Sequence, residues 1–231
     1  MLAPGHTDYR KRVQYQTYDV TALLREGENE LTFQLADGWY RGSCGAWGLR
    51  NQYGVQTKLL AQLELTDKSG RVTTVSTDGS WDWSNDGPIR FADNKDGEVV
   101  DASLVPTYDR RAKETDHKVV PTASNNVPVT EHETFTPKLL TTPGGKTVLD
   151  FGQNIAGYIS FGLKAKAGQR VFLRFGEMLD ETGEFTQKNI QCKNRRITTP
   201  LQQVEYLCKD GENRYKTTLS LIHISEPTRH A

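Results

Sequence analysis

The sequence predicts an all-β fold, built as two consecutive antiparallel β-sandwiches of the jelly-roll kind that are both incomplete at the ends of the chain. Short runs of β-branched and aromatic residues recur along it, and turn-forming Gly, Asn and Pro residues separate them. No long segment has the 3.6-residue apolar period of a helix. The clearest pattern covers residues 149–184, where apolar runs near Val148–Phe151, Tyr158–Leu163 and Arg170–Phe175 are divided by turn residues. Such spacing is typical of an antiparallel sheet.

Three elements are predicted in the first half of the chain. Asp19–Leu24 reads as one helical turn, and Gly27 supplies the residue that ends it. The alternation of polar and apolar residues over Glu30–Leu35 predicts a half-buried strand. Lys58–Thr66 and Arg71–Thr77 flank a polar turn and predict a hairpin.

The periodicity also divides the chain into domains. It fades between Ala102 and Val127, where prolines, a charged run and a Ser-Asn-Asn sequence predict a connection. We therefore expect a first sandwich at residues 1–104 that lacks its first strands, a linker at 105–128, and a second sandwich at 129–218 that lacks its last strands.

The final residues, 219–231, do not continue any earlier pattern. The run Leu219–Arg229 resembles the translation of a transposase adapter used to prepare sequencing libraries, so we expect a non-native tail and a natural sequence that ends near Thr218. The alternative is an ordinary strand followed by a tail that contains Pro227.

Composition excludes several classes of function. Lys and Arg together number 29 and so do Asp and Glu, so no net charge favours nucleic acid or an anionic membrane as partner. No run of 18 apolar residues is present, and the start of the chain has no apolar signal region, which predicts a cytoplasmic location.

The three cysteines, Cys44, Cys192 and Cys208, are odd in number and lack C-x-x-C spacing. Neither a disulfide framework nor a zinc site is expected from this pattern. Free thiols are the simpler interpretation, and a single Cys192–Cys208 pair is the alternative.

An acidic cluster is the first place to look for catalysis. Glu177, Asp180, Glu181 and Glu184 provide the carboxylate pairs that glycoside hydrolysis requires. They fall in a predicted turn, however, where acidic side chains are commonly solvated. No catalytic residue is predicted.

A second acidic stretch has the composition of a calcium loop. Asp93, Asn94 and Asp96 supply the oxygen ligands that calcium prefers, but the run does not fit the EF-hand template, because Ala92 and Ser103 occupy ligand positions. A polar turn is the favoured interpretation, no cofactor is expected, and calcium is the alternative.

A compact aromatic segment gives the candidate carbohydrate contacts. Trp39 and Tyr40 offer ring faces for a sugar, Arg41 offers donors for its hydroxyls, and Trp47 lies in a glycine-rich stretch that favours exposure. The competing and favoured interpretation for Trp39 is a structural corner, because aromatic residues more often fill a core.

Two regions resemble one known family. Pro4–Thr21 together with Gly38–Gly42 resembles the N-terminal sandwich of bacterial alpha-L-rhamnosidases, and Asp96-Gly97-Glu98 with Asp101 is similar to the family's later acidic element. Leu149–Glu184 is similar to its concanavalin-like domain. The resemblance covers nearly all of residues 2–218.

The resemblance implies a glycosidase that removes terminal alpha-L-rhamnose by an inverting mechanism, with its carboxylates in an α/α barrel that follows these β-domains. It implies rhamnose-containing glycosides and the protein's own catalytic barrel as partners, and an inactive fragment where the barrel is missing. A stand-alone carbohydrate-binding module and a purely structural pair of sandwiches are the alternatives.

Overall fold

The computed structural model describes residues 5–45, 48–116, 119–125, 127, 130–193 and 198–217. Its helical content is a 3-10 turn at Thr21–Leu23 and one four-residue helix, α1, at Gly38–Arg41. Everything else that is regular is strand, which confirms the all-β prediction. Among the described residues, no helix has the length and apolar character needed to cross a membrane.

The strands are short and are numbered in chain order: β1 Gln14–Tyr15, β2 Gln62–Thr66, β3 Val72–Ser76, β4 Asp82–Trp83, β5 Ile89–Asp93, β6 Gly97–Asp101, β7 Arg110–Arg111, β8 Thr122–Ala123, β9 Lys138–Thr141, β10 Thr147–Asp150, β11 Ser160–Ala165, β12 Arg170–Arg174, β13 Met178–Leu179, β14 Phe185–Thr186, β15 Cys192–Lys193, β16 Thr198–Thr199, β17 Gln203–Leu207 and β18 Gly211–Lys216.

The largest sheet in the described part of the chain has four strands in the order β12-β17-β6-β5. β12 pairs with β17, and β5 with β6, in antiparallel fashion. β17 and β6 are parallel, with Gln203 opposite Gly97 and Leu207 opposite Asp101. This pair departs from the wholly antiparallel prediction. Parallel neighbours need a long connection, and the chain between Asp101 and Gln203 provides it.

Gly97 makes this parallel pairing possible. Its φ is +108°, and a Cβ placed there would lie 1.8 Å from the backbone oxygen of Gln203. Only glycine lets the two backbones approach so closely with that dihedral angle. The close approach of Gln203 therefore requires glycine at residue 97, the first residue of β6.

The core lies between this sheet and the antiparallel pair β11–β18. Val100, Ala165, Tyr206 and Cys208 are its buried centre. The ring of Phe161 on β11 meets that of Tyr206 edge-on, with centroids 5.3 Å apart. Because Val100 belongs to β6, residues on both sides of the predicted linker build the same core.

The local predictions for the first half have mixed outcomes. The predicted helical turn is present as the 3-10 turn, followed by Gly27 at φ +90°. The predicted hairpin is β2–β3, in register from Gln62 opposite Ser76 to Thr66 opposite Val72. The predicted strand at Glu30–Leu35 is wrong: these residues form no ladder, and Phe33 is 40% exposed. An alternating segment without a neighbouring strand has no backbone partner to complete a ladder.

Candidate functional site

Residues 48–51 fold back onto the end of α1 and the residues that follow it. Backbone hydrogen bonds from Cys44 N to Leu49 O and from Asn51 N to Arg41 O, both 2.9 Å, close the loop after α1. This closure places Arg50 beside Asp37, with Nη2 2.5 Å from Oδ2. Arg41 Nε lies 3.3 Å from the other oxygen of Asp37. A single carboxylate thus faces two guanidinium groups.

Arg50 also contacts the end of β5. Its Nη1 donates to Asp93 Oδ2 at 2.8 Å, and the guanidinium lies over the Phe91 ring at 5.3 Å. The side chain of Asp93 is fully buried, whereas that of Arg50 is 34% exposed. A buried carboxylate is tolerated only where its charge is paired and its oxygens are hydrogen-bonded.

Backbone amides supply the remaining donors to Asp93. Ser43 N donates to Oδ2 at 2.6 Å, and the amides of Lys95 and Asp96 donate to Oδ1 at 2.8 and 3.0 Å. Asp96 in turn accepts from the Thr199 hydroxyl and the Leu201 amide, both at 3.0 Å. The calcium candidates Asp93 and Asp96 therefore accept hydrogen bonds from arginine, hydroxyl and backbone amide donors. No cluster of metal-ligating side chains occurs among the described residues.

Three of the carbohydrate candidates lie on α1, and two of them, Trp39 and Tyr40, belong to an aromatic cluster. Trp39 stacks on His6 with centroids 4.9 Å apart, and Tyr40 lies 5.9 Å from the ring of Tyr9. Burial, with a contribution from Tyr53, raises the pKa of Tyr9 to about 12. Trp39, Tyr40 and Arg41 are half-buried, and each has an intramolecular partner. Trp47 lies outside the described residues.

The acidic side chains near residue 180 accept hydrogen bonds from their own turn and from neighbouring loops. Asp180 Oδ1 accepts from the amide and hydroxyl of Thr182, at 2.9 and 2.6 Å, and from the amide of Glu184. These hydrogen bonds, led by the Thr182 side chain, lower the pKa of Asp180. Glu184 accepts from Gly144 N, and Glu177 accepts from Asn189 at 2.8 Å. The arrangement holds loops together and presents no paired acid and base.

Sequence reasoning missed the residues that organise this region. Arg50 stands in no recognisable motif, and Thr199 is distant in sequence from the carboxylate that it contacts. Glu98 is 1% exposed, and its Oε2 accepts from the Tyr215 hydroxyl at 2.6 Å. In the sequence, Glu98 is distinguished only by its place in the run Asp96-Gly97-Glu98, which carries part of the resemblance.

These features define an all-β protein in which carboxylates near the strand ends are held by arginine, hydroxyl and backbone amide donors. Two family models match the chain: the alpha-L-rhamnosidase N-terminal domain over residues 1–138, and the bacterial alpha-L-rhamnosidase concanavalin-like domain over residues 140–220. The chain therefore belongs to the bacterial alpha-L-rhamnosidase family.

Relatives and solved structures agree with this assignment. The chain is 38% identical over 205 residues to an alpha-L-rhamnosidase of Streptomyces avermitilis, covering 82% of this chain and 20% of that protein. It is 36% identical over 204 residues to one from Alteromonas, covering 81% and 22%. The crystal structure of the Streptomyces avermitilis alpha-L-rhamnosidase complexed with L-rhamnose superposes with a TM-score of 0.79 at 34% identity, covering 94% of this chain and 22% of that one. The chain thus spans about a fifth of the length of these relatives.

Proposed function

We propose that the chain forms accessory β-domains of an enzyme that removes terminal alpha-L-rhamnose from glycosides, and that the chain by itself does not hydrolyse them. The observation that carries the proposal is the succession of two rhamnosidase β-domain matches, which together account for residues 1–138 and 140–220. The substrates of the relatives are rhamnose-containing glycosides, and the parent enzyme is proposed to share them.

The geometry of the carboxylates supports the proposed lack of activity. An inverting glycosidase needs a protonated carboxyl and a carboxylate about 6.5–9.5 Å apart, with room for the sugar and a water between them. Asp93 and Asp96 instead hold Arg50, backbone amides and Thr199, and Glu98 is buried beneath Tyr215. The carboxylates of Asp93, Asp96 and Glu98 therefore bind other groups of the chain and stabilise the fold.

The test is a rhamnosidase assay on the purified chain with p-nitrophenyl alpha-L-rhamnoside. The Streptomyces avermitilis alpha-L-rhamnosidase is the positive control under the same conditions. We expect no release of p-nitrophenol above the buffer rate at any concentration of the chain. Release that rises in proportion to the chain and co-elutes with it on a sizing column would contradict the proposal.

A rhamnose-binding module is the second candidate, and one observation favours it. Trp39 and Tyr40 belong to one cluster of aromatic rings with His6, Tyr9 and Tyr53, and ring faces of this kind can stack on a sugar. Isothermal titration of the chain with L-rhamnose tests it, with Trp39→Ala as the variant and Trp83→Ala as the matched control. Binding that the first substitution removes and the second retains supports a module. Heat that neither substitution alters counts against one at α1.

A further inference from the structure

The two regions matched by separate family models share one hydrogen-bonded sheet. The hairpin β5–β6 belongs to the first region, and β17 belongs to the second. Five residues of β6 pair with five of β17. On the face of this sheet, Val100 is 3% exposed and packs in the same cluster as Tyr206 and Cys208 of β17 and its end. Without the hairpin, the second sandwich would lack two of the four strands of its larger sheet.

An ion pair holds the hairpin to the loop after α1. Arg50 joins Asp37 to the buried Asp93, whose remaining contacts are amides of Ser43, Lys95 and Asp96. Loss of the guanidinium would leave a buried carboxylate without a cation, which is among the more costly changes in a protein interior.

The same cluster continues into the second region. Asp96 Oδ1 accepts from Thr199 and Leu201, and Thr199 Oγ1 lies 3.5 Å from Ser43 Oγ. Thr199 and Ser43 are each 1% exposed. A continuous set of polar contacts, with Ser43, Asp93 and Thr199 as its buried members, therefore runs from the loop after α1 to β16, the strand that ends at Thr199.

A second contact reaches the opposite sheet. Glu98 on β6 accepts from the hydroxyl of Tyr215 on β18 at 2.6 Å, and the Tyr215 and Tyr206 rings lie 5.1 Å apart. The hairpin thus contacts both layers of the second sandwich, through hydrogen bonds within its own sheet and through Glu98 to the other.

We propose that the two regions form one cooperative folding unit, in which the β5–β6 hairpin provides two strands of the second sandwich and the Arg50–Asp93 ion pair fixes that hairpin in place. Stability is then shared across the chain. A substitution in the loop after α1 therefore changes the rate at which the amides of β11 and β18 open to hydrogen exchange, although neither strand touches that loop.

The experiment uses the full 231-residue chain and two probes during urea unfolding. All four tryptophans, at positions 39, 47, 81 and 83, lie in the first region, so their fluorescence reports that region. Amide hydrogen exchange at 160–165 and 211–216 reports the second. We expect both probes to give the same unfolding midpoint. Two separate midpoints would overturn the proposal.

Arg50→Met is the decisive variant. It should lower both midpoints together and speed exchange in β11 and β18 by at least about tenfold, because the opening of these strands is coupled to the whole unit. Arg90→Met is the matched control: Arg90 lies in the same hairpin but pairs at 2.7 Å with Asp86, which is 69% exposed, so little change is expected. Faster exchange in Arg50→Met confined to the loop after α1 would refute the coupling.

Thr199→Val decides the question if Arg50→Met does not fold. It keeps the shape of the side chain and removes the hydroxyl that donates to Asp96 from the second region. We expect the tryptophan midpoint of the first region to fall. A tryptophan midpoint equal to that of the unsubstituted chain, with faster exchange in the second region, would show two independent units.

Discussion

Replacing Gly97 with alanine places a methyl group where β6 and β17 approach most closely. The added Cβ would lie 1.8 Å from Gln203 O and 2.8 Å from Gln203 C, both backbone atoms that cannot rotate away. The φ of +108° adds about 1–2 kcal/mol of backbone strain for a residue with a Cβ. Relief of the clash requires β6 to move off β17, which weakens the parallel ladder and the packing of Val100. We expect a total loss of about 3–5 kcal/mol in the free energy of unfolding.

Gly145→Ala is the matched control for this prediction. Gly145 has a φ of +78°, and a Cβ added there would have no other atom within 4 Å, so the substitution carries backbone strain without a clash. It should cost about 1–2 kcal/mol. Urea unfolding followed by far-UV circular dichroism measures both variants. Equal costs for the two substitutions would refute the argument from close approach.

Three further predictions concern titration, thiol reactivity and metal. Burial raises the pKa of Tyr9 from 10.0 to about 12, so the protonated phenol stabilises the fold below pH 10 and this stabilisation is lost as the pH rises towards 12. The unfolding temperature should therefore decline over this range, and Tyr9→Phe should make the decline less steep. A decline of the same size in Tyr9→Phe would contradict the prediction. The exposed Cys192 should react with a thiol reagent in the folded chain. The buried Cys208 should react only in urea, since burial also raises the pKa of its thiol. Comparison of Cys192→Ser with Cys208→Ser shows which cysteine reacts in the folded chain. Millimolar calcium should leave the unfolding temperature unchanged, because Arg50 and backbone amides already donate to the carboxylate oxygens of Asp93. A rise in the unfolding temperature that Asp93→Asn abolishes would support the calcium alternative instead.

Elements with a local signal could be predicted from the sequence. Residues 149–184 contain strands close to the predicted positions, because glycine and polar turns mark their ends. In β17, the alternate residues Val204 and Tyr206 are 1% and 3% exposed, in keeping with the two-residue period of a strand. The hairpin β2–β3 is likewise evident from its turn.

Elements that depend on distant partners could not be predicted. The parallel pairing of β6 with β17 joins residues far apart in sequence, and no local pattern records it. Arg50 belongs to no motif, and its role depends on a loop closure that brings it to Asp37 and Asp93. At Glu30–Leu35 the reverse occurs: the local alternation predicts a strand, but no neighbouring strand pairs with it, and no strand forms.

The parallel pairing has a practical consequence for anyone who divides the chain. A cut at the junction of the two family matches, between residues 138 and 140, would remove β6 and turn β17 into an edge strand. Its backbone donors and acceptors would face solvent, and the side chains of Val204 and Tyr206 would lose part of their cover. Open apolar edges of this kind template intermolecular sheets. Residues 140–217 produced alone would therefore tend to self-associate, whereas a piece that begins before Pro88 would keep the strand that protects them.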